Sequence, residues 1–540
     1  MISIQHIPFK RAATLLLLSL TVVSCHFLDE NPKDQLDESD LIKDAKSFYL
    51  ATLGDLYAHF GSDENGNGIM GTGRGIYDLQ TITSDEAIIP IRGADWNDGG
   101  LWARLYGHSW EDGEEPIKNA WNYLFQMIVK SNTALYLVER YSSYMTEEEK
   151  LGLNAELRAI RAFMYYYLLD LYARVPLVTE HDVPLSKVEQ EDRSVVFDFV
   201  VSELEAVRPL LPLERSNYLG AWYGRITRPV VYCLLAKLYL NADVYMDDDW
   251  TDGVRALHPE CYQKCIDYCD SFSMFPEGDY HLSSTYAENF STTNERSHEN
   301  ILTIPMDPDR YASQFLYIFR SLHYDHAAAM GMCGENGPCA TLELLDANHF
   351  EQDDEDPRFR MNFWSGTAVD MNGKPVYLNK TTPLVYKPRS VSPVLTGNVD
   401  EKVAGARMKK YEYDPNCTTD GKHIHNDLVV FRYADVVLMK AEALLRSGQD
   451  ALDLVNLVRE RANAPALTTV TLNDILRERM LELCWEGHRR QDMVRFGVFG
   501  DARTSRPQLP DEENGYTTVF PIPADAIAVN HNLKQNKGYE

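Results

Sequence analysis

Residues 477–497 read RERMLELCWEGHRRQDMVRFG. Leu476, Met480, Leu483, Gly487, Arg490 and Val494 recur at alternating four- and three-residue steps, which is one face of an α-helix, so the stretch is predicted as a single helix. Gly487 falls in that seam, where a missing side chain lets another backbone approach closely. Glu486 is placed to reach Arg489 or Arg490 one turn on, and Arg489 to reach Asp492. These residues describe a buried helix laced by its own ion pairs. His488 reads as a packed, hydrogen-bonded histidine rather than a catalytic base.

Outward from this stretch the same periodicity keeps returning. A first helix is expected over 40–60, followed by a glycine-rich loop over 61–75. Another runs over 116–141, and Thr146 with Glu149 makes a capping box for the helix that ends before Pro176. The aromatic run Tyr165, Tyr166 and Tyr167 spans too many sides of that helix to be a binding face and reads as core. Further helices are expected over 195–211, over 229–245 paired with 259–272, and over 428–445 paired with 451–462. A long helix followed by a shorter one across a brief link, with alanines at the crossings, reads as a tetratricopeptide-like unit. Residues 276–427 break the pattern with Pro, Gly, Asn and Asp, and apolar patches such as 301–304 point to a few short strands.

A chain of 540 residues exceeds one ordinary core unless helical repeats stack. Its 52 Lys plus Arg against 81 Asp plus Glu give a net charge of −29, a field that repels nucleic acid and suits a neutral ligand. The 31 Tyr and 8 Trp exceed what helix packing asks for. Nine cysteines show no metal-site spacing: Cys261, Cys265 and Cys269 read as small buried residues, while Cys333 and Cys339 flank a turn that a disulfide would close. Neither a metal nor a cofactor is expected. Asp85 beside Glu86, or Glu111 beside Asp112, does not supply the separated carboxylates of a glycosidase, and no nucleophile elbow, zinc motif, P-loop or dinucleotide fingerprint occurs. The expectation is a protein that is not an enzyme.

The N-terminus carries Lys10 and Arg11, then an apolar run over 12–23 too short to span a membrane, then Ser24 and Cys25. This has the layout of a lipoprotein signal peptide over 1–24, with Val22-Val23-Ser24-Cys25 as lipobox and Cys25 as the acylated residue. Acyl chains, at about 0.8 kcal/mol per buried methylene, hold such a protein to a membrane without a spanning helix.

The richest chemistry lies at 83–113, TSDEAIIPIRGADWNDGGLWARLYGHSWEDG. Sugars present flat apolar faces, on which aromatic rings lie, and hydroxyl rims, which Asp, Asn and Arg hold. Asp85, Arg92, Asp95, Trp96, Asn97 and Trp102 are the candidate ligand residues, spaced by glycines that allow sharp turns. Trp96, between Asp95 and Asn97, reads as a ligand contact, whereas Trp102 and Trp110 lean towards pinning the loop onto the helical body. Trp222 and Tyr223 either line a groove or pack a turn.

The opening stretch resembles the E-R-x-x-E-L-x-x-E-G-x-R-x-x-D-x-x-R-x-G signature of SusD/RagB-family lipoproteins. Cys25 to Pro32 is similar to that family's C-x-x-F-L-D-x-x-P opening, one residue shorter, and AELRAIRAF and the tail FPIPADAIAVNHNLKQNKGY also resemble it. S-D-E-x-x-x-P and D-W-x-D-G-G-x-W resemble its starch-binding branch. The resemblance implies a mainly α, SusD-like fold: about four tetratricopeptide-like helix pairs (within 40–60, 115–275 and 428–497) and an irregular, loop-rich ligand-binding half (61–114 and 276–427) with a few short strands, all one domain over 25–540. It implies a surface-exposed, outer-membrane lipoprotein that captures a starch-like or other neutral glycan and delivers it to a SusC-like TonB-dependent transporter. It also implies a second aromatic from 306–324, Tyr311 first, with Tyr317 and Tyr324 as alternatives. A peptide-binding RagB-type protein and a helical scaffold without a small ligand are the competing expectations.

Overall fold

A computed structural model describes residues 42–540, apart from 62–66, 72, 276–279, 310–312, 316, 397–399 and 419. The signal segment 1–24, the lipidation residue Cys25 and Tyr311 lie outside the described residues. Among the described residues no helix is long and apolar enough to cross a membrane.

The fold is mainly α. Helices Glu115–Arg140 and Glu147–Tyr172 pack together, and Arg193–Val207 packs on the second of them. Arg228–Leu240 packs on Pro259–Asp270, which packs in turn on Tyr433–Arg446, followed by Leu452–Arg461 and Leu472–Glu482. The capping box at Thr146 forms as read: its hydroxyl accepts the Glu149 N–H at 3.2 Å, and Glu149 accepts the Thr146 N–H at 2.8 Å. Tyr165, Tyr166 and Tyr167 are all buried.

Two helices differ from their periodicity. The one expected over 40–60 is split into Ala45–Ala51 and Leu53–Ala58, because Thr52 leaves helical geometry (φ −125°, ψ −73°). The one expected over 428–445 begins only at Tyr433, since Leu428–Arg432 is a strand, antiparallel to Asn300–Ile304. A short run that is apolar on every side fits a fully buried strand as well as a helix, and here all five residues are buried. The remaining named strands are two-residue pairs, among them Ile91–Arg92 parallel to Val394–Leu395.

The quoted stretch is not one helix. Leu472–Glu482 ends, and Arg489–Phe496 begins after a turn in which Trp485 (φ 56°) and Gly487 (φ 77°) are left-handed. The main-chain groups this frees are taken by distant residues: the Glu86 carboxylate accepts the Trp485 N–H at 2.9 Å, Tyr77 donates to the Trp485 carbonyl at 2.5 Å, and Lys410 donates to the Cys484 carbonyl at 2.6 Å. A Cβ on Gly487 would meet nothing closer than Tyr77 at 3.7 Å, so its positive φ, and not a close backbone, calls for glycine.

The ion pairs are likewise long-range. Glu486 pairs with Arg432 (2.7 Å) and Lys410 (2.7 Å), Arg490 with Asp170 (3.0 Å), and Arg489 with Asp85 (2.6 and 2.9 Å). Asp492 does not receive Arg489; it holds Arg479 (2.9 Å) and Arg495 (2.7 Å). Burial alone would raise the pKa of Asp492, but those two guanidinium groups pull it down to about 2. The stretch therefore staples the helical pairs to the irregular half, and the Trp485 ring does the same by packing edge-on against Tyr317 and Phe363. One hydrophobic core runs through both halves, and smaller clusters flank it, one of them in 364–403.

Cys333 and Cys339 are free thiols, the first exposed and the second fully buried, where its sulfur lies 3.5 Å from the Arg92 guanidinium. The expected loop disulfide is not made: the Cys339 sulfur is turned into the interior against Gly405 and Arg92, while Cys333 stays at the surface. Cys261, Cys265 and Cys269 are buried thiols, as read.

Glu86 is fully buried, and only one of its oxygens has a partner. Burial pushes its pKa up to about 8 against the Trp485 N–H and the Arg489 charge. The folded state thus holds this proton more tightly than the unfolded chain, and the corresponding stability is complete below about pH 4.5 and is lost as pH rises towards 8. Glu86→Gln is expected to flatten the stability profile between pH 5 and 8, as read by urea unfolding across that range; an unchanged slope would refute it.

Candidate functional site

The loop 92–100 is built to present a ring. Arg92 and Asp95 exchange main-chain hydrogen bonds at 2.9 and 3.0 Å around Gly93 (φ 64°), and Gly99 (φ 63°) and Gly100 (φ 87°) turn the chain again before the helix Leu101–Gly107. Trp96 stands between these turns, itself at φ 60°, a region costing a non-glycine residue roughly 1–2 kcal/mol. Its place is held from three sides. The indole N–H donates to the Glu335 carbonyl at 2.7 Å, the ring meets Trp102 edge-on at 5.9 Å, and the Arg320 guanidinium lies 5.0 Å from the ring centre. A Cβ on Gly337 would come within 2.5 Å of the indole, so this glycine makes room for the ring.

Trp96 remains half-buried and lines a cleft of about 740 Å³. Beside it, Asp95 is exposed and accepts the Tyr324 hydroxyl at 2.9 Å. Burial and that bond push the Tyr324 phenol up to about 12, so it stays a hydrogen-bond donor throughout the neutral range. Asp98 accepts the Trp102 N–H at 2.6 Å and faces Arg74 at 3.5 Å, while Arg74 also reaches Glu115 at 2.5 Å. Burial raises the carboxyl of Glu335 above its ordinary range despite Arg320 at 3.6 Å and nearby Lys422. Carboxylates and cations thus alternate around an aromatic ring, and neither sign dominates.

The other candidates separate. Asn97 is exposed at the turn but does not line the cleft. Trp102 is 1% exposed, lines the cleft and supports Trp96 edge-on, and Trp110 packs on Phe520 with its N–H on the Tyr539 hydroxyl. Asp85 and Arg92 do not reach the cleft. Asp85 is spent on the two-pronged pair with Arg489, and the 3%-exposed Arg92 guanidinium donates to the carbonyls of Glu401, Gly337 and Ala404. Asp85 is half-buried and Arg92 buried, and the charge of each is directed to partners inside the protein. Of the tyrosines, Tyr317 is fully buried and donates to Asp78, whereas Tyr324 is 45% exposed and lines the cleft. Tyr223 donates to Asp427, and Trp222 is covered by Arg225 at 3.9 Å, so this pair packs a turn. Arg74, Arg320, Glu335 and Lys422 carried no local sequence signal; Arg320 shares the segment 306–324 with Tyr324, and position in that segment was the one available hint.

Packed helix pairs bearing a loop-built face, in which an anchored indole lies among hydrogen-bonding groups, define a ligand-binding protein on a helical-repeat frame. The SusD family model matches residues 246–539, and a second family, described as starch-binding associating with outer membrane, matches 77–240. The chain belongs to the SusD family. The starch-binding protein SusD of Bacteroides thetaiotaomicron is 25% identical over 524 residues, spanning 89% of this chain and 87% of that protein. A laminarin-binding SusD-like protein shares the fold, with a TM-score of 0.69 and 21% identity over 92% of this chain and 100% of that one. So does surface glycan-binding protein A of Bacteroides thetaiotaomicron, solved with laminarihexaose, with a TM-score of 0.66 and 20% identity over 91% of this chain and 98% of that one. These relatives are named for the glycans they bind.

Proposed function

We propose that this chain captures a neutral glycan, starch-like or otherwise, at the Trp96 cleft and passes it to a SusC-like TonB-dependent outer-membrane transporter. Acylated Cys25 holds it at the cell surface. The observation that carries the binding step is the half-buried Trp96, fixed by Glu335 and Gly337 beside the Asp95–Tyr324 pair. The ring offers an apolar face, and Asp95, Asp98 and Arg74 offer acceptors and donors for hydroxyls. A preformed platform loses little entropy on binding, while a shallow site keeps the affinity modest. The balance of charge in the cleft, and the net −29 of the whole chain, favour an uncharged ligand. Family membership supports transfer to a transporter, and the N-terminal spelling supports lipid anchoring.

Affinity electrophoresis of the soluble form, begun after Cys25, against a panel of polysaccharides tests this reading. Retardation by at least one neutral polymer is expected. Retardation by none, with peptides bound instead, would refute the glycan and leave the fold untouched.

A further inference from the structure

Tyr324 and Asp95 line not one depression but two. On the far side of their hydrogen bond lies a second hollow of about 310 Å³, which shares both residues with the Trp96 cleft. Its floor is already committed: Arg92 is buried under its carbonyls, and Asn336 is held by Arg407 at 2.9 Å and by the Glu401 carbonyl at 3.3 Å. Its walls are not.

One wall is the tip of the hairpin formed by Tyr377–Leu378 and Thr382–Pro383. Asn379 (φ 49°) and Lys380 (φ 65°) make the left-handed turn, and the Asn379 N–H donates to the Asp325 carboxylate at 3.1 Å. The hairpin rests on its own small core of Ala368, Val376, Leu378, Leu384, Tyr386 and Val403. The Tyr386 hydroxyl joins that core to the main body by accepting the His323 N–H at 3.1 Å and meeting the His326 ring at 3.0 Å. The tip is therefore positioned from both ends and does not hang free. The other wall is the short helix Asp400–Val403, which brings Glu401 against Gly93 and places Lys402 at the rim. Among the described residues, neither the Asn379 side-chain amide nor the Lys402 ammonium is hydrogen-bonded to protein.

The hollow thus holds donors and acceptors without any aromatic face of its own apart from the Tyr324 edge. Burial lowers the His323 imidazole to about 4, so it is neutral at physiological pH, and Asp95, Asp325 and Glu401 outweigh Lys402 and Arg92. An anionic sugar is disfavoured there, while hydroxyl groups are matched.

We propose that this second hollow is a further sugar subsite. The face then takes a neutral oligosaccharide that crosses the exposed Tyr324 ring, with one sugar on Trp96 and a later one held through its hydroxyls by Asn379 and Lys402. The inference rests on the glycan reading above and adds chain length as a determinant of affinity.

The test is calorimetric titration with a length ladder of oligosaccharides cut from the polysaccharide that the wild type retains. It compares wild type with the Asn379→Gly/Lys402→Ala double variant. Glycine suits the positive φ at 379 and leaves the N–H bond to Asp325 in place, so the hairpin is preserved. Wild-type affinity is expected to rise with length. The variant should lose about tenfold on the long oligosaccharides, the equivalent of one or two hydrogen bonds, and nothing on the shortest one bound. Equal affinity of variant and wild type at every length, or an equal loss at every length, overturns the subsite while the Trp96 cleft stands. A wild type that binds no glycan at all overturns both.

Discussion

Arg432→Met is expected to lower the unfolding free energy by about 3–5 kcal/mol, read as a drop in the urea midpoint. Arg432 is fully buried at the end of the strand Leu428–Arg432 and reaches Glu299 (2.6 Å), Glu482 (2.6 Å) and Glu486 (2.7 Å). Around it, Arg358, Arg459, Arg461 and Lys410 complete the cationic set, and Asp356 and Glu478 complete the anionic one. The charges match in number, so taking away one guanidinium leaves a buried carboxylate without a counter-charge, which is far costlier than losing a surface pair. Burial by itself would raise the pKa of Glu482, but Arg461, Arg432 and Arg358 hold it well below the carboxylate range. In the variant Arg461 and Arg358 still hold the carboxyl down, but the hold is weaker, so the folded state gives up this proton less readily than in the wild type. The loss should therefore be smaller at pH 5 than at pH 8. A variant as stable as wild type at pH 8 would show that the network does not join the two halves.

The largest effect on function is expected from Trp96→Ala. Truncating an anchoring aromatic at the centre of a contact typically costs 2 kcal/mol or more, here about a thirtyfold loss of affinity for whichever glycan the wild type retains. The same variant is also expected to lose about 1–2 kcal/mol of stability, because the ring packs on Gly337 and Trp102 and its N–H is tied to the Glu335 carbonyl. Trp96→Phe separates the two effects. It keeps an aromatic face and removes the N–H, so it should share the stability loss yet retain affinity to within about threefold. Titration calorimetry and thermal unfolding of the three proteins decide this. Wild-type affinity in a folded Trp96→Ala protein would remove Trp96 from the ligand site.

Trp96 also shows where reading the sequence stops. That it lies in a tight, polar loop is local information, carried by Gly93, Gly99 and Gly100, and the expectation of a half-exposed ring follows from it. That the ring is anchored by Glu335, backed by Arg320 and neighboured by Tyr324 is not local, because those residues lie more than two hundred positions away. The same divide explains Asp85 and Arg92. By type and neighbourhood they equal Asp95 as candidates, yet Arg489 claims the first and a ring of carbonyls claims the second. Charge in a loop says that a partner is needed, not whether that partner is a ligand or the protein itself.

What the amino-acid sequence determined by itself is everything that repeats within a few residues: the paired helices with their 3.6-residue stripes, the capping box at Thr146, the mainly α class and the membership of the SusD family. Only the tertiary structure decided the break between Glu482 and Arg489, the strand Leu428–Arg432, the two free thiols at 333 and 339, and the side chains that meet around Trp96. The helical path breaks over 483–488 because Glu86, Tyr77 and Lys410 satisfy the freed main-chain groups and a glycine takes the left-handed turn, and three of those four influences come from elsewhere in the chain. Periodicity is a property of neighbours in sequence. Burial, charge pairing and the shape of a binding face belong to neighbours in space.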